Sequence, residues 1–445
     1  MTRSLLAWAL GLAVLPVPAT AQPASEPRLT IEAAVQVAVT QNLQVQSARL
    51  EIDKADAALA SARTRRLPSV RTEVSVSQLL TPVAFAFPQG AFGTFPATGP
   101  IPATNTTLSV DRRPTAYVSS TVAQPLSQLF TIGLTIDAAG TSRALAVERA
   151  RAARLAVVHA VTRAYFGLLQ TKSALVASDD VLAMYRELGR TVTARVAQKV
   201  ALRADALEVE YRLAQEELAH TTYENALASG KEELNRLLGR DVGTPFAVTD
   251  AADLALVEVD LDAAVRRALE NRPDVREARL AVDQATLDER IARAGRIPDV
   301  SFALSYVTNL NIDVLPANLA SAGIQLTWEP FDWGRRRAEI ATKASTVAQA
   351  RLAARDAEDR ARVDVSRRYR TLMEKRALLR VASMAQDVVR ETLRVRTNQY
   401  QVQAALLPDV LQVRAELAQA VDRYQQALSA FWTAKADFEL AIGED

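Results

Sequence analysis

Two histidines, His159 and His220, are the only imidazoles in the 445-residue chain, and there is no cysteine. Neither histidine sits in a His-Glu-x-x-His run or has a second ligand at helical spacing, so no metal site is expected. Without thiols the chain has no disulfide, no thiolate ligand, no cysteine nucleophile and no lipidated cysteine. A Walker loop and a G-x-G-x-x-G turn are also absent, which removes two familiar phosphate cradles. Asp and Glu number 51, but none stands beside a Gly-rich turn where paired carboxylates could exchange protons. The chain therefore reads as a non-enzyme with no cofactor. The carboxylates that stand out do so by position. Asp409 follows Pro408 at a helix restart, and Asp205 occupies the matching turn of an earlier helix. An acid there suits a helix N-terminus. His159 lies in a long helical pattern and reads as a surface or packing residue.

That matching of Asp205 with Asp409 belongs to a wider duplication. Residues 33–70 align without gaps to residues 263–300, and fifteen of the thirty-eight pairs are identical. Arg66-Leu67-Pro68-Ser69-Val70 faces Arg296-Ile297-Pro298-Asp299-Val300. Further on, Val161, Arg163, Tyr165, Leu168 and Leu175 face Val365, Arg367, Tyr369, Leu372 and Leu379. The offset falls from 230 to 204, so the first half carries about 26 extra residues between the blocks. A repeat of this length marks a duplicated structural unit. The expected units are residues 22–260 and 261–445, after a signal peptide at residues 1–21. Arg3, the apolar run Leu5 to Leu15 and the small-x-small site Ala19-Thr20-Ala21 carry that last assignment, with the mature chain starting at Gln22. No later stretch reaches the eighteen apolar residues of a membrane helix. A formal charge of +2 gives no basic excess, so no nucleic acid partner is expected.

Two stretches, from Ser142 to about Gln198 and from Arg335 to about Gln403, are nearly free of Gly and Pro. Val161, Leu168, Leu175 and Leu182 recur every seven residues with Tyr165 on the same seam, a coiled-coil-like pattern. Tyr165 and Tyr369 read as core. Each stretch breaks, near Lys199 to Arg203 or Ala404 to Pro408, and a shorter helix then runs to Gly239 or Gly443, where glycine suits a left-handed C-cap. After Pro68 and Pro298 the period changes to two. Val70, Val74 and Val76 alternate with Arg71, Glu73, Ser75 and Ser77. Phe302, Leu304 and Tyr306 alternate with Ser301, Ala303 and Ser305. Return segments run from Ala116 to Ala123 and from Gly323 to Glu329. About ten residues with one apolar and one polar face fit a transmembrane β-strand, with Leu304 and Ile324 toward lipid and Ser305 and Gln325 toward the lumen. The strand-loop-strand units span 69–132 and 299–332. The extra residues fall in a Phe-, Pro- and Gly-rich loop from Leu80 to Pro114. Arg335-Arg336-Arg337 marks the water side of a strand-to-helix junction, with Trp328 and Trp333 as interfacial aromatics. Four strands cannot close a barrel, and lipid does not tolerate open edges, so other copies must close them. The number of copies is not fixed by periodicity.

The chain resembles the TolC family of outer-membrane efflux proteins over nearly all of its mature length. The resemblance rests on Leu29-Thr30-Ile31-Glu32-Ala33-Ala34, its repeat Leu261 to Ala268 with Asn271-Arg272-Pro273, Gln124-Pro125-Leu126, Glu329-Pro330-Phe331-Asp332-Trp333-Gly334, Ala164-Tyr165-Phe166 and Pro408-Asp409-Val410-Leu411. It implies a mostly α fold with a membrane β-barrel portion: long antiparallel helices forming an α-barrel, plus four strands per chain closed into a 12-stranded barrel in a homotrimer. It also implies an outer-membrane location reaching into the periplasm, with a periplasmic adaptor protein and an inner-membrane efflux pump or ABC transporter as partners in efflux or type I secretion. Asp409 matches the first aperture aspartate of the family, and Gln412 stands at the second. Tyr400 matches a tip tyrosine of the closed state, while the basic residue five positions on is Ala405 here. Asp205 occupies the equivalent turn of the first half. The competing reading is a periplasmic coiled-coil adaptor without a pore, which would show one helical hairpin flanked by Gly-rich β-segments rather than two hairpins and two strand pairs.

Overall fold

The computed structural model describes residues 27–249, 260–311, 316–402 and 404–444. The expected signal peptide lies outside them. Strand β1 (Arg28–Leu29) leads into α1 (Ile31–Gln41) and α2 (Leu43–Thr64). Strands β2 (Ser69–Gln78), β3 (Val83–Phe87), β4 (Thr94–Phe95), β5 (Gly99–Pro100), β6 (Thr106–Val110) and β7 (Pro114–Pro125) follow. Then come the long α3 (Leu129–Ala197), α4 (Arg203–Leu238) and β8 (Ala247–Val248). The second half repeats the order with α5 (Leu261–Asn271), α6 (Pro273–Ala294), β9 (Asp299–Leu310), β10 (Asn318–Thr327), α7 (Arg335–Gln401) and α8 (Leu407–Ile442).

Local chemistry sets these boundaries. Thr30 caps α1 by accepting from the Ala33 amide, and Asp260 caps α5 in the same way. The helical segment that opens each half is two helices rather than one. At Asn42 the backbone turns extended and the side-chain oxygen accepts from the Gln44 and Val45 amides, restarting the helix as an N-cap. At Arg272 the following Pro273 forces the extended conformation and then begins α6 where its missing N–H costs nothing. Helix α3 opens at Leu129, inside the span expected for strand, loop and strand, and β10 begins at Asn318, five residues before the expected Gly323. The Leu80–Pro114 loop is not irregular. It folds into a hairpin, β3 with β6, tipped by the short β4–β5 pair.

At 1.5 Å per residue α3, with 69 residues, extends about 100 Å. It packs on α4 and α8 toward one end and on α2 and α6 toward the other, while α7 packs on α8 and α6. The helices thus form rows, α4-α3-α8-α7 and α2-α3-α6-α7, whose outermost members are partnered on one flank only. No helix among the described residues is long and apolar enough to cross a membrane. The main core lies at mid-length, where α1, α5, β1 and β8 meet the long helices. Phe166 stacks on Trp432 with ring centroids 5.5 Å apart, and Leu234, Leu238, Phe246 and Phe438 are buried around them. The Tyr165 hydroxyl, fully buried, lies 2.9 Å from the Leu29 carbonyl and 2.7 Å from that of Thr249, fastening the β1–β8 pair to α3.

Candidate functional site

Three zones hold the residues singled out by sequence. The first is a four-stranded antiparallel sheet in the order β10-β9-β7-β2. Residues opposite one another in such a sheet share a face. Leu304 faces Val122 and Ala322, Phe302 faces Ile324, and Val122 faces Val70. Val74, Val76, Tyr306 and Leu326 complete the same apolar face. The opposite face carries Arg71, Glu73, Ser119, Thr121, Ser301, Ser305 and Gln325, with the Tyr117 hydroxyl donating to the Glu73 carboxylate at 3.4 Å. Leu304 and Ile324 therefore lie on one face, and Ser305 and Gln325 on the other. At the foot of β10, Trp328, Phe331 and Trp333 stand exposed. Trp333 holds a left-handed φ of 53°, unusual for a bulky residue. Arg335 and Arg336 pair with Glu329 at 2.8 and 3.1 Å, so the basic run is largely neutralised in place.

The second zone is the far end of the helices. Asp409 is the third residue of α8, and its carboxylate accepts from the Leu406 amide at 2.9 Å. Asp205 does the same for Leu202 at 3.0 Å. Leucine offers no side-chain acceptor, so each turn is half of a capping box, with the acid supplying all of the side-chain capping. Both aspartates thus have the helix-start role expected of a first-turn acid. Asp409 and Gln412 line one cleft between α3 and α8 with Tyr185, Leu188 and Glu416, of about 380 Å³. The Gln412 amide donates to the Glu416 carboxylate at 3.1 Å. Glu416 was not singled out from sequence. The signal was its spacing of seven from Asp409, two helical turns along one face. Tyr400 is exposed in the last turn of α7 and lies outside that cleft. Arg414 reaches Asp180 at 2.8 Å and Arg186 reaches Glu217 at 3.4 Å, tying α8 and α4 to α3 near this end.

The third zone is the mid-length junction. Gly239 and Gly443 both take φ of +74° at the ends of α4 and α8. A Cβ on Gly239 would overlap the Gln41 carbonyl, and one on Gly443 would lie 2.9 Å from the Arg272 nitrogen. Each C-cap glycine thus rests on the corner between two helices of its own half. The Asn42 amide donates to the Leu237 carbonyl at 2.7 Å, and Arg272 donates to the equivalent Ala441 carbonyl at 3.1 Å. Arg272 also binds Asp364 at 3.0 Å and Asp274 at 2.9 Å. Asp364 binds Arg368 at 2.9 Å, Arg368 binds Asp437, and Asp437 meets His159. Burial pushes the Asp364 carboxyl up, but hydrogen bonds from Arg368 and Arg272 outweigh it and hold the group below the usual carboxylate range. His159 is therefore hydrogen-bonded at the end of this network rather than loose on the surface. His220 pairs with Asp179 at 3.0 Å.

The pairing of an amphipathic sheet with over-long helices, twice per chain, has close parallels. The family model for outer membrane efflux proteins matches residues 34–240 and 264–444. The chain belongs to the outer membrane efflux protein family. By that family's description its place is the outer membrane and its work is efflux. Among solved structures, the chain is similar to the Campylobacter jejuni CmeC outer membrane channel, at 14% identity and a TM-score of 0.75, over 93% of this chain and 85% of that one. It is similar to the open state of the Neisseria gonorrhoeae MtrE outer membrane channel, at 17% identity and a TM-score of 0.70, over 94% and 90%. VceC of Vibrio cholerae gives 16% and 0.71 over 93% and 96%. In sequence the chain is 26% identical to protein CyaE of Bordetella pertussis over 218 residues, 46% of each chain. The chain spans about half the length of the curated relatives it matches.

Proposed function

We propose that this efflux protein works as a homotrimeric, passive export duct. The duct would receive cargo from an inner-membrane efflux pump or ABC transporter through a periplasmic adaptor protein, in tripartite efflux or type I secretion. The observation that carries this is the sheet with two open edges. Strands β2 and β10 each have one unpaired flank, and lipid tolerates neither unpaired backbone nor an open edge. Three copies, with β10 of one pairing β2 of the next, give twelve strands and a lumen wide enough for cargo. The apolar face would then meet lipid and the Arg71–Glu73 face would line the lumen. The same ring would bring α4 and α2 of one copy against α7 of the next, covering Leu207, Tyr211 and Leu218 on α4 and Val381, Met384 and Val388 on α7, all exposed in the single chain. The two halves of the chain, residues 22–260 and 261–445, would each supply one strand pair and one helical hairpin to the ring.

The periplasmic tip would be the aperture. Asp409 would stand there three times, with Glu416 two turns above it supplying the second acidic level where Gln412 is neutral. A narrow acidic ring attracts cations and hinders anions. Tyr400, in the last turn of α7, would contact the tip of the neighbouring copy, and Asp205 would remain a cap. Native mass measurement and planar-bilayer recording of the detergent-purified protein test this reading. A stable trimer with cation-preferring conductance is expected, whereas a water-soluble monomer without conductance would overturn it.

A further inference from the structure

The connection between β2 and β7 contains a hairpin, whereas the connection between β9 and β10 is only seven residues long. It leaves the sheet at the end away from the helices, where the Leu79 amide donates to the Arg113 carbonyl at 3.2 Å. Its register places Phe85 opposite Leu108, Val83 opposite Val110 and Phe87 opposite Thr106. Those residues share one face. The other face holds Ala84, Ala86, Thr107 and Ser109, all small. The hairpin is therefore as one-sided as a core strand, yet among the described residues no other strand or helix packs extensively on it. On the Phe85 face Val110 is buried and Phe87 packs on Phe92 of the tip with ring centroids 5.2 Å apart, but Phe85 remains 46% exposed and Leu108 49%.

An isolated two-stranded hairpin is at best marginal in water, and each large apolar side chain left uncovered forgoes the stabilisation that burial would give. Lipid is poorly placed to cover this face. Strand β2, with ten residues, already has the length a tilted membrane strand needs, and the hairpin begins beyond it. The hairpin instead springs from β2, the outermost strand, at the edge where the next copy closes the sheet. We infer that the Phe85 face of each hairpin packs against the hairpin of a neighbouring copy, so that three hairpins form an aromatic collar narrowing the outer mouth of the duct. This rests on the trimeric reading above. One hairpin per chain places three around the axis, and the small-residue face lets each lean inward without steric conflict.

The absence of cysteine makes the test clean. Phe85→Cys and Ala84→Cys, each the only thiol in its protein, are treated in outer membranes with a mild oxidant. Inter-chain dimers are expected from Phe85→Cys and not from Ala84→Cys. Leu108→Cys, opposite Phe85, serves as a second probe of the same face if Phe85→Cys fails to assemble. The double variant Phe85→Ser/Leu108→Ser is expected to raise single-channel conductance at least twofold. Cross-linking from Ala84→Cys alone would put the wrong face inward. No cross-link, with Phe85→Cys labelled by a membrane-impermeant maleimide as fully as Ala84→Cys, would show a hairpin free in water. No cross-link with protection from the maleimide would place the face on lipid. Any of these overturns the collar. A protein that conducts but shows no collar leaves the duct intact, while a parent chain that never conducts removes the duct itself.

Discussion

Gly239 on the Gln41–Asn42 corner and Gly443 on the Asn271–Arg272 corner are the same backbone joint built twice, with different side chains holding it. In the first half one amide, Asn42, satisfies both the start of α2 and the end of α4. In the second half a guanidinium does the latter, and a buried cation needs partners. Asp364 and Arg368 supply them, extending the network to Asp437 and His159. Their counterparts in the first half are Ala160, Ala164 and Glu233, and Glu233 pairs within its own helix with Arg236 at 2.6 Å. Glycine geometry was kept after duplication because no other residue fits, whereas the polar chemistry was free to diverge as a set.

The sharpest way to break this comparison is at the glycines. Gly239→Ala should destabilise the protein by about 3 kcal/mol or more, since a left-handed alanine adds strain and its Cβ overlaps backbone. Gly443→Ala, with a looser approach, should cost about 1–2 kcal/mol. Thermal unfolding of the two variants checks the order, and equal losses would mean that the two joints are equally close-fitted after all.

The sheet gives the next effect. Leu304→Lys should cost about 2–4 kcal/mol in the bilayer, while Ser305→Lys on the other face should be tolerated. The yield of folded protein in outer membranes measures it. A one-residue slip of register would reverse the result.

The two polar joints should then separate by pH. Asp364→Asn leaves Arg272 and Arg368 short of a partner and should cost on the order of 2 kcal/mol, between exposed and buried pairs. Because the folded Asp364 titrates below the ordinary value, its contribution is complete above about pH 4 and is lost as pH falls through the lower folded value. Asn42→Ala should cost about 1 kcal/mol at any pH, since an amide does not titrate. Chemical denaturation at neutral pH and in acid distinguishes the two.

The smallest effect on stability is expected at the tips. Asp205→Asn and Asp409→Asn should each cost roughly 0.3–1 kcal/mol as first-turn acids. Only Asp409→Asn should weaken cation preference in bilayer recordings, with Glu416→Gln adding to it and Gln412→Asp opposing it. Identical recordings from the two aspartate variants would leave Asp409 a cap and nothing more.

Much of this was legible in the residues, for identifiable reasons. Period-two alternation in Val70-Arg71-Thr72-Glu73-Val74 and Phe302-Ala303-Leu304-Ser305-Tyr306 assigned both faces of the sheet, because side-chain direction in a strand is fixed by parity. Runs with no Pro and little or no Gly marked the long helices, and Gly239 and Gly443 marked their partners' ends. The break at Asn42 was hidden because its flanks are both good helix formers and the cap acts through a single side-chain oxygen. The β3–β6 hairpin was hidden because five-residue strands such as Val-Ala-Phe-Ala-Phe give too short a run to set a period. The Arg272–Asp364–Arg368–Asp437–His159 network joins residues far apart in sequence, and no local pattern announces a contact made only by tertiary packing. Glu416 is legible only through its spacing of seven from Asp409, because nothing in the residues beside it marks a site.

The unbroken course of α3 has a mechanical consequence. Tyr165 pins the helix at the joint, and from there to Ala197 the chain runs without a glycine hinge other than Gly167 and Gly189, which stay helical. That arm is about 48 Å long at 1.5 Å per residue. A tilt of roughly 5° about the pin sweeps its far end through about 4 Å, a displacement gained by geometry alone from a rotation small enough to leave the joint's packing in place. A helix tip carried on such an arm needs no soft segment of its own in order to be displaced. Stiffness along the shaft, with the fulcrum at Tyr165, does the work that flexibility would do elsewhere.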